Sequence, residues 1–173
     1  MQVGDRIYLR PHTLKDADEF YKLNLDKEVI KYTGDSAFES VDDAASFLKS
    51  YLETNEKGFG RYAIILKASD EYVGWCGLKK HDSFIDLGYR LNKRFWGMGF
   101  ATEAAKISLD HGFNKLKLDE ITGRSHPENL ASIKILKKIG MTFSGIDTCN
   151  GIDNAHIYKI DKWQFQTHLS GLQ

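Results

Sequence analysis

The chain has 173 residues, 42% hydrophobic and 28% charged, with 15 glycines and 2 prolines. These proportions exclude an intrinsically disordered chain and, without a glycine period, a collagen-like one. Lys plus Arg and Asp plus Glu are equal at 24 each, and a neutral chain argues against a general nucleic-acid binder, which is ordinarily basic.

No run approaches the ~20 consecutive apolar residues of a membrane-spanning helix. The opening MQVGDRIYLRPHT lacks the apolar stretch of a secretory signal. Cys76 and Cys149 share no CxxC spacing and read as buried, reduced thiols of a cytoplasmic protein. With no repeat and no Pro- or Ser-rich linker, residues 1–173 read as one domain.

Residues 6–10 alternate as a strand stopped by Pro11. Thr13, with Asp16 three residues on, opens a helix carrying Ala17, Phe20, Tyr21 and Leu25 at helical spacing. A second helix spans 40–57, with Val41, Ala44, Ala45, Leu48 and Leu52 on one stripe and Gly58 and Gly60 at its end. Strands at 62–66, 72–78 and 84–91 follow, and their short polar connections predict an antiparallel meander. A glycine-bearing loop leads into a helix at 101–113. A strand at 120–124 and a helix at 130–139, ended by Gly140, come next. A hairpin of 142–146 with 156–161 across a long polar loop closes the chain. The order β-α-α-β-β-β-α-β-α-β-β predicts an α+β fold with a mixed sheet of about seven strands and about four helices.

The segment from Arg94 to Ala104 stands between a strand and a helix start. Successive N–H groups at a helix amino terminus hold an anion, and small residues let its oxygens approach the chain. A Walker loop is excluded because no Gly-Lys-Ser/Thr is present. A dinucleotide turn is disfavoured: Gly97 and Gly99 fit it, but Thr102 stands at the third glycine position. Glu120, about twenty residues on, opens a strand instead of closing one.

Trp96-Gly97-Met98-Gly99-Phe100-Ala101, followed by Thr102-Glu103-Ala104, resembles the acetyl-CoA pyrophosphate loop of GNAT N-acetyltransferases, Gln/Arg-x-x-Gly-x-Gly/Ala. It matches at Gly99 and Ala101 and departs at Trp96. The Trp-Gly pair and the Ala-Thr-Glu-Ala behind it resemble the RimJ/RimL-like branch. Ile85-Asp86-Leu87-Gly88-Tyr89-Arg90-Leu91 is similar to that branch's fourth strand. Asn129-Leu130-Ala131-Ser132, with residues 136–141, is similar to its Asn-x-x-Ser helix, and Ile7-Tyr8-Leu9-Arg10-Pro11 to its first strand. The resemblance covers nearly the whole chain. It implies the GNAT acyl-CoA N-acyltransferase fold, with a mostly antiparallel sheet splayed in the middle. It also implies transfer of acetyl from acetyl-CoA to a primary amine by direct attack in a ternary complex, without a metal. The acceptor it implies is a protein N-terminal α-amine, with a polyamine, antibiotic or amino-acid derivative as the alternative.

By the same resemblance, Trp96, Gly97, Met98, Gly99, Phe100, Ala101 and Thr102 would hold the pyrophosphate. The backbone of Tyr89, Arg90 and Leu91 would pair with the pantetheine arm along the splay, and Asn129 would touch that arm. Ser132 would assist the departing thiolate, with Tyr158 a second candidate. On spacing alone, Asn129 and Ser132 share one helix face, and they equally fit an N-cap and a first-turn residue. Alternation sets Ile85, Leu87, Tyr89 and Leu91 on one face of their strand and Phe84, Asp86, Gly88 and Arg90 on the other. Asp86 is then either a cleft carboxylate relaying the amine's proton through water, or the ion-pair partner of Arg90. Gly88 marks a bulge or a close approach.

The six histidines show no HxH or HExxH spacing, so no metal site is indicated. Trp75, Phe38, Phe59 and Trp163 either line a pocket or pack in the core, and core packing is the preferred reading. Asp35, Glu39, Asp42 and Asp43 either line an acidic cleft suited to a polycation or decorate a helix amino terminus. The first two helices and the loops at 31–39, 80–83 and 148–154 should set the acceptor. The partners expected are acetyl-CoA and an amine, neither nucleic acid nor membrane, with room for a homodimer. A CoA-binding sensor or structural subunit without turnover is the rival from another class.

Overall fold

The computed structural model describes residues 2–54, 58–149 and 151–170 of the chain. Their eight strands form one sheet in the order β1-β2-β3-β4-β5-β6-β8-β7. The strands are β1 (Gln2–Val3), β2 (Ile7–Arg10), β3 (Gly60–Leu66), β4 (Tyr72–Lys80), β5 (Ile85–Leu91), β6 (Glu120–Ser125), β7 (Thr142–Cys149) and β8 (Ile152–Asp161). Only β5 and β6 are parallel; every other neighbouring pair is antiparallel. The helices are α1 (Ala17–Leu25), α2 (Lys27–Ile30), α3 (Val41–Thr54), α4 (Phe100–Asp110), α5 (Leu130–Lys138) and α6 (Lys162–Ser170). No helix among the described residues is long and apolar enough to cross a membrane.

The expected α+β class and meander are present, with one strand and two helices beyond the expected numbers. β1 is two residues long and pairs Gln2 with Leu9 and Val3 with Tyr8, too short to show alternation. α2 is a single turn, capped by the Asp26 side chain on the Glu28 N–H at 2.9 Å. α6 buries Phe165 but leaves Trp163 72% exposed, so its sequence carries no clean apolar stripe. The last hairpin extends inward to Cys149 and Ile152, which shortens the long polar loop read from its composition. The helix expected at 101–113 ends as α-helix at Asp110 and continues as one π turn, His111–Lys115.

Alternate residues feed two cores. Ile64 of β3 joins Leu78, Leu87, Leu91, Ala105, Leu109 and Phe113 under α4. Ala63 and Ile65, pointing the other way, pack with Leu23, Val29 and Tyr72 under α1 and α2. Beside them Ala17, Phe20, Ala44 and Leu48 join α1 to α3. The sheet is thus covered on both faces, and its middle is where the ladder breaks.

Candidate active site

β5 pairs with β4 along its length, from Lys80↔Ile85 to Gly74↔Leu91. It meets β6 only at Asp86↔Thr122 and Leu87↔Gly123. Beyond Leu87 the two strands part. The Asn92 N–H donates to the Val73 carbonyl at 2.9 Å. Antiparallel alternation therefore turns the Tyr89 and Leu91 peptide groups away from β4 and into the gap. The Leu91 carbonyl there accepts the Trp96 indole N–H at 2.8 Å, so the loop's departure from its usual Gln or Arg has a local role: the ring ties the loop to the end of β5.

α4 begins beyond Gly97 at φ +76° and Gly99 at φ +83°, a left-handed turn that favours glycine. The N–H groups of the first turn have no carbonyl ahead of them, and the helix dipole adds positive potential there. A phosphate oxygen fits that arrangement. Arg6 braces the turn. Its Nη1 donates to the Met98 carbonyl at 2.9 Å and its Nε to Glu103 at 2.9 Å. Burial opposes the charge on Glu103, but hydrogen bonds from the Arg6 backbone and side chain outweigh it and hold the carboxyl below its usual range. Trp96 and Met98 are exposed. The loop lies on the open surface, outside the two cavities described next.

The larger cavity, ≈290 Å³, brings together Asp86, Tyr89, Arg90, Asn129 and Ser132. Asn129 caps α5, its Oδ1 accepting the Ser132 N–H at 3.1 Å. Its amide NH₂ takes no part in that cap. The Tyr89 hydroxyl lies 3.0 Å from the Ser132 hydroxyl and 3.1 Å from the Ser132 carbonyl. Burial pushes the Tyr89 phenol up, so the pair keeps its protons at neutral pH. Tyr158 is elsewhere: buried in the main core, edge-on to Phe143 at 5.7 Å, and lining neither cavity.

Asp86 does not pair with Arg90. Its Oδ2 accepts Arg61 Nη2 at 2.5 Å and its Oδ1 accepts Arg124 Nε at 3.2 Å. Arg90 reaches the other way, to Asn24 Oδ1 and Asp35 Oδ2. The close approach signalled by Gly88 is that of Arg61: a Cβ there would stand 2.6 Å from the guanidinium carbon. Arg61 and Arg124 come from β3 and β6, and only the missing side chain at Gly88 pointed toward a guest on this face.

A smaller cavity, ≈230 Å³, adjoins the first and shares Asp35, Phe47, Tyr51, Arg61, Trp75 and Arg90 with it. Trp75 and Phe38 pack against the α1–α3 core, as preferred from the sequence, and also line this cavity. Phe59 also packs against the core, whereas Trp163 is exposed. The acids also separate. Asp35 meets Arg90, while Asp43 accepts the Glu39 N–H at 3.3 Å at the start of α3. Cys76 is fully buried, and that burial pushes its thiol up to about 11, which removes it as a nucleophile. The Cys149 side chain lies outside the described residues. Among the described residues, no three His, Cys, Asp or Glu side chains are grouped to hold a metal ion.

An anion site at a helix amino terminus, a splayed strand with outward peptide groups and a cavity with paired hydroxyls together suit an extended phosphate-bearing thioester and a second substrate. The family model for the acetyltransferase (GNAT) domain matches residues 6–142. The uncharacterized N-acetyltransferase p20 of Bacillus licheniformis is 34% identical over 146 residues, 82% of each chain. A GNAT-family acetyltransferase of Bacillus anthracis superposes with a TM-score of 0.81 at 25% identity, over 92% of this chain and 97% of that one. The spermidine N-acetyltransferase of Vibrio cholerae, solved with CoA and spermine, shares the fold, with a TM-score of 0.80 at 18% identity, over 93% and 98% of the two chains.

Proposed function

The chain belongs to the GNAT acetyltransferase family, and from that premise we propose that it moves acetyl from acetyl-CoA to an α-amine by direct attack in a ternary complex. The α4 turn at Gly97 and Gly99 would take the pyrophosphate, and the Tyr89 backbone and Asn129 amide the pantetheine arm. The amine nitrogen attacks the thioester carbonyl, the C–N bond forms and the C–S bond breaks. The sulfur leaves as thiolate and takes a proton from the Tyr89–Ser132 hydroxyl pair, and the proton released by the nitrogen as the amide forms restores that pair.

One observation carries the acceptor reading. Among the described residues the cleft's two carboxylates are already engaged by arginines, Asp86 by Arg61 and Arg124 and Asp35 by Arg90. Four cations, Arg61, Lys79, Arg90 and Arg124, line the same cavity. A cationic surround favours the neutral form of an amine over its ammonium. An α-amine near pH 8 is within reach of that shift, while a lysine near 10.4 is far from it. The attacking amine is thus supplied by its surroundings, and Asp86 acts by positioning two arginines, not as the base.

Initial rates of thiol release, with acetyl-CoA and an amine panel, test this. Intersecting lines are expected, with Cys76→Ala active. Ser132→Ala should slow turnover at every pH, within the ~10²–10⁴-fold range of acid assistance. Parallel lines, or an acetylated protein side chain on the pathway, would overturn direct transfer. Coenzyme binding without thiol release from any amine would return the protein to the sensor reading.

A further inference from the structure

The smaller cavity has an apolar wall and an unused polar one. Phe20, Phe38, Phe47 and Trp75 supply rings. Facing the same space, His12 is 4% exposed and neither ring nitrogen has a hydrogen-bond partner. Trp75 Nε1 and Arg90 Nε are likewise buried without one. Buried polar atoms are nearly always satisfied, and here several orphans gather at one cavity.

Arg90 is the center of this arrangement. Its side chain is 8% exposed, and its one carboxylate partner among the described residues, Asp35, is 50% exposed. Asp35 sits outside any helix or strand, between α2 and α3. Arg61 and Arg90 stand over the Trp75 ring at 5.4 and 5.2 Å. A polycation entering this space meets guanidinium groups and carboxylates already engaged. An anionic oxygen that displaces Asp35 meets Arg90 Nη2 and the unpartnered Nε, one edge of a planar fork matched to a carboxylate, while Nη1 stays on Asn24. Exchanging the half-exposed Asp35 for a ligand carboxylate preserves the charge balance around Arg90. The volume, ≈230 Å³, falls below the ~300 Å³ lower end of drug-sized sites and suits one side chain's worth of atoms.

We propose that the acceptor is a small α-amine bearing its own carboxylate and an apolar or aromatic side group, in short an amino acid, with the ring among the phenylalanines and the carboxylate on Arg90 in place of Asp35. This rests on the acetyl-transfer reading of the cleft. It also serves the chemistry: a carboxylate beside an amine holds the amine's proton, and a guanidinium on that carboxylate offsets the pull. The amine is left neutral and facing the larger cavity, where Ser132 stands.

The experiment compares L-phenylalanine, L-methionine, L-phenylalaninamide, a peptide beginning with phenylalanine, and spermidine as acceptors for the full chain, by thiol release. In parallel, L-phenylalanine without acetyl-CoA is tested for a rise in melting temperature. The acids should exceed the amide, the peptide and spermidine in kcat/KM by about tenfold or more. Arg90→Gln should erase that ratio chiefly through KM, with a smaller fall in kcat at neutral pH that is regained at high pH, where the amine is already neutral. Asp35→Asn, which removes the competing carboxylate, should lower KM for the acids more than for the amide. A merely structural Asp35–Arg90 pair would lower stability in both variants and leave the ratio alone, which overturns the proposal. An amide or peptide as good as the acid, or spermidine the best acceptor, also overturns it. If Arg90→Gln does not fold, Asp35→Asn and the L-phenylalanine melting shift decide. Should no amine release thiol while L-phenylalanine still raises the melting temperature, the carboxylate site stands and the transfer reading falls. With neither effect, both fall.

Discussion

The two ends of the cleft are built on different principles. At the proposed coenzyme end, the groups on offer are backbone: N–H groups at the start of α4, peptide groups turned outward from β5, and glycines at φ +76° and +83° that let the chain make the turn. At the proposed acceptor end, the groups on offer are side chains: guanidinium groups, aromatic rings and a buried histidine drawn from α1, α3, several strands and the loops that hold His12 and Phe38. The first end is short in sequence and tolerant of what surrounds it. The second depends on partners far apart in the chain, so one substitution there disturbs several groups at once.

Substituting Gly99 by Glu should break the contrast at the coenzyme end with the largest effect. It sets a side chain at φ +83°, strained by about 1–3 kcal/mol, with its Cβ 3.3 Å from Arg6 Nη2, and brings a carboxylate to an anion site. The rise in melting temperature with acetyl-CoA should disappear, while the L-phenylalanine response persists. An undiminished acetyl-CoA response would remove the loop from coenzyme binding.

At the acceptor end, Asp86→Ala should cost about 3–5 kcal/mol by denaturant unfolding, because two nearly buried guanidinium groups lose their shared carboxylate. Asp86→Asn keeps hydrogen bonding and should cost less. If its turnover is lost at neutral pH and recovers at high pH, Asp86 is a base after all. An even loss across pH supports positioning.

His12 provides a pH test. Burial lowers it from 6.5 to about 4. The unfolded chain therefore takes up a proton near pH 6.5 and the folded one only near 4. Stability from this group is complete above 6.5 and lost as pH falls toward 4, by about 3 kcal/mol in all. His12→Phe should flatten that part of the stability–pH curve. An unchanged slope would show that His12 is not the group responsible.

The smallest effect is expected at Gly88. Alanine there collides with the Arg61 guanidinium, and overpacking of this kind costs about 1–3 kcal/mol. Because Arg61 anchors Asp86, acceptor KM should rise while the acetyl-CoA melting response stays near that of the unaltered protein. Weakened acetyl-CoA binding instead would show that the two ends are coupled through β5.

Much of the local structure at the proposed coenzyme end was legible before any fold was known. Gly97 and Gly99 before a helical stretch, Asn129 three residues before Ser132, and the alternation from Ile85 to Leu91 are local signals, each governed by residues within a turn or a strand of one another. The meander and the faces of β5 follow from period alone, since side-chain direction on a strand is fixed by parity. What the sequence could not carry was which charges meet. Asp86 and Arg90 stand four residues apart on one face and look like a pair. They part because Arg61 from β3 and Arg124 from β6 reach Asp86, and Asn24 and Asp35 reach Arg90. Trp75 and Phe38 pass for core in composition, and only the packing of α1 and α3 against β4 leaves a cavity beside them. Local backbone chemistry is written in neighbouring residues, whereas an electrostatic cleft is settled by long-range contacts that no single stretch of chain contains.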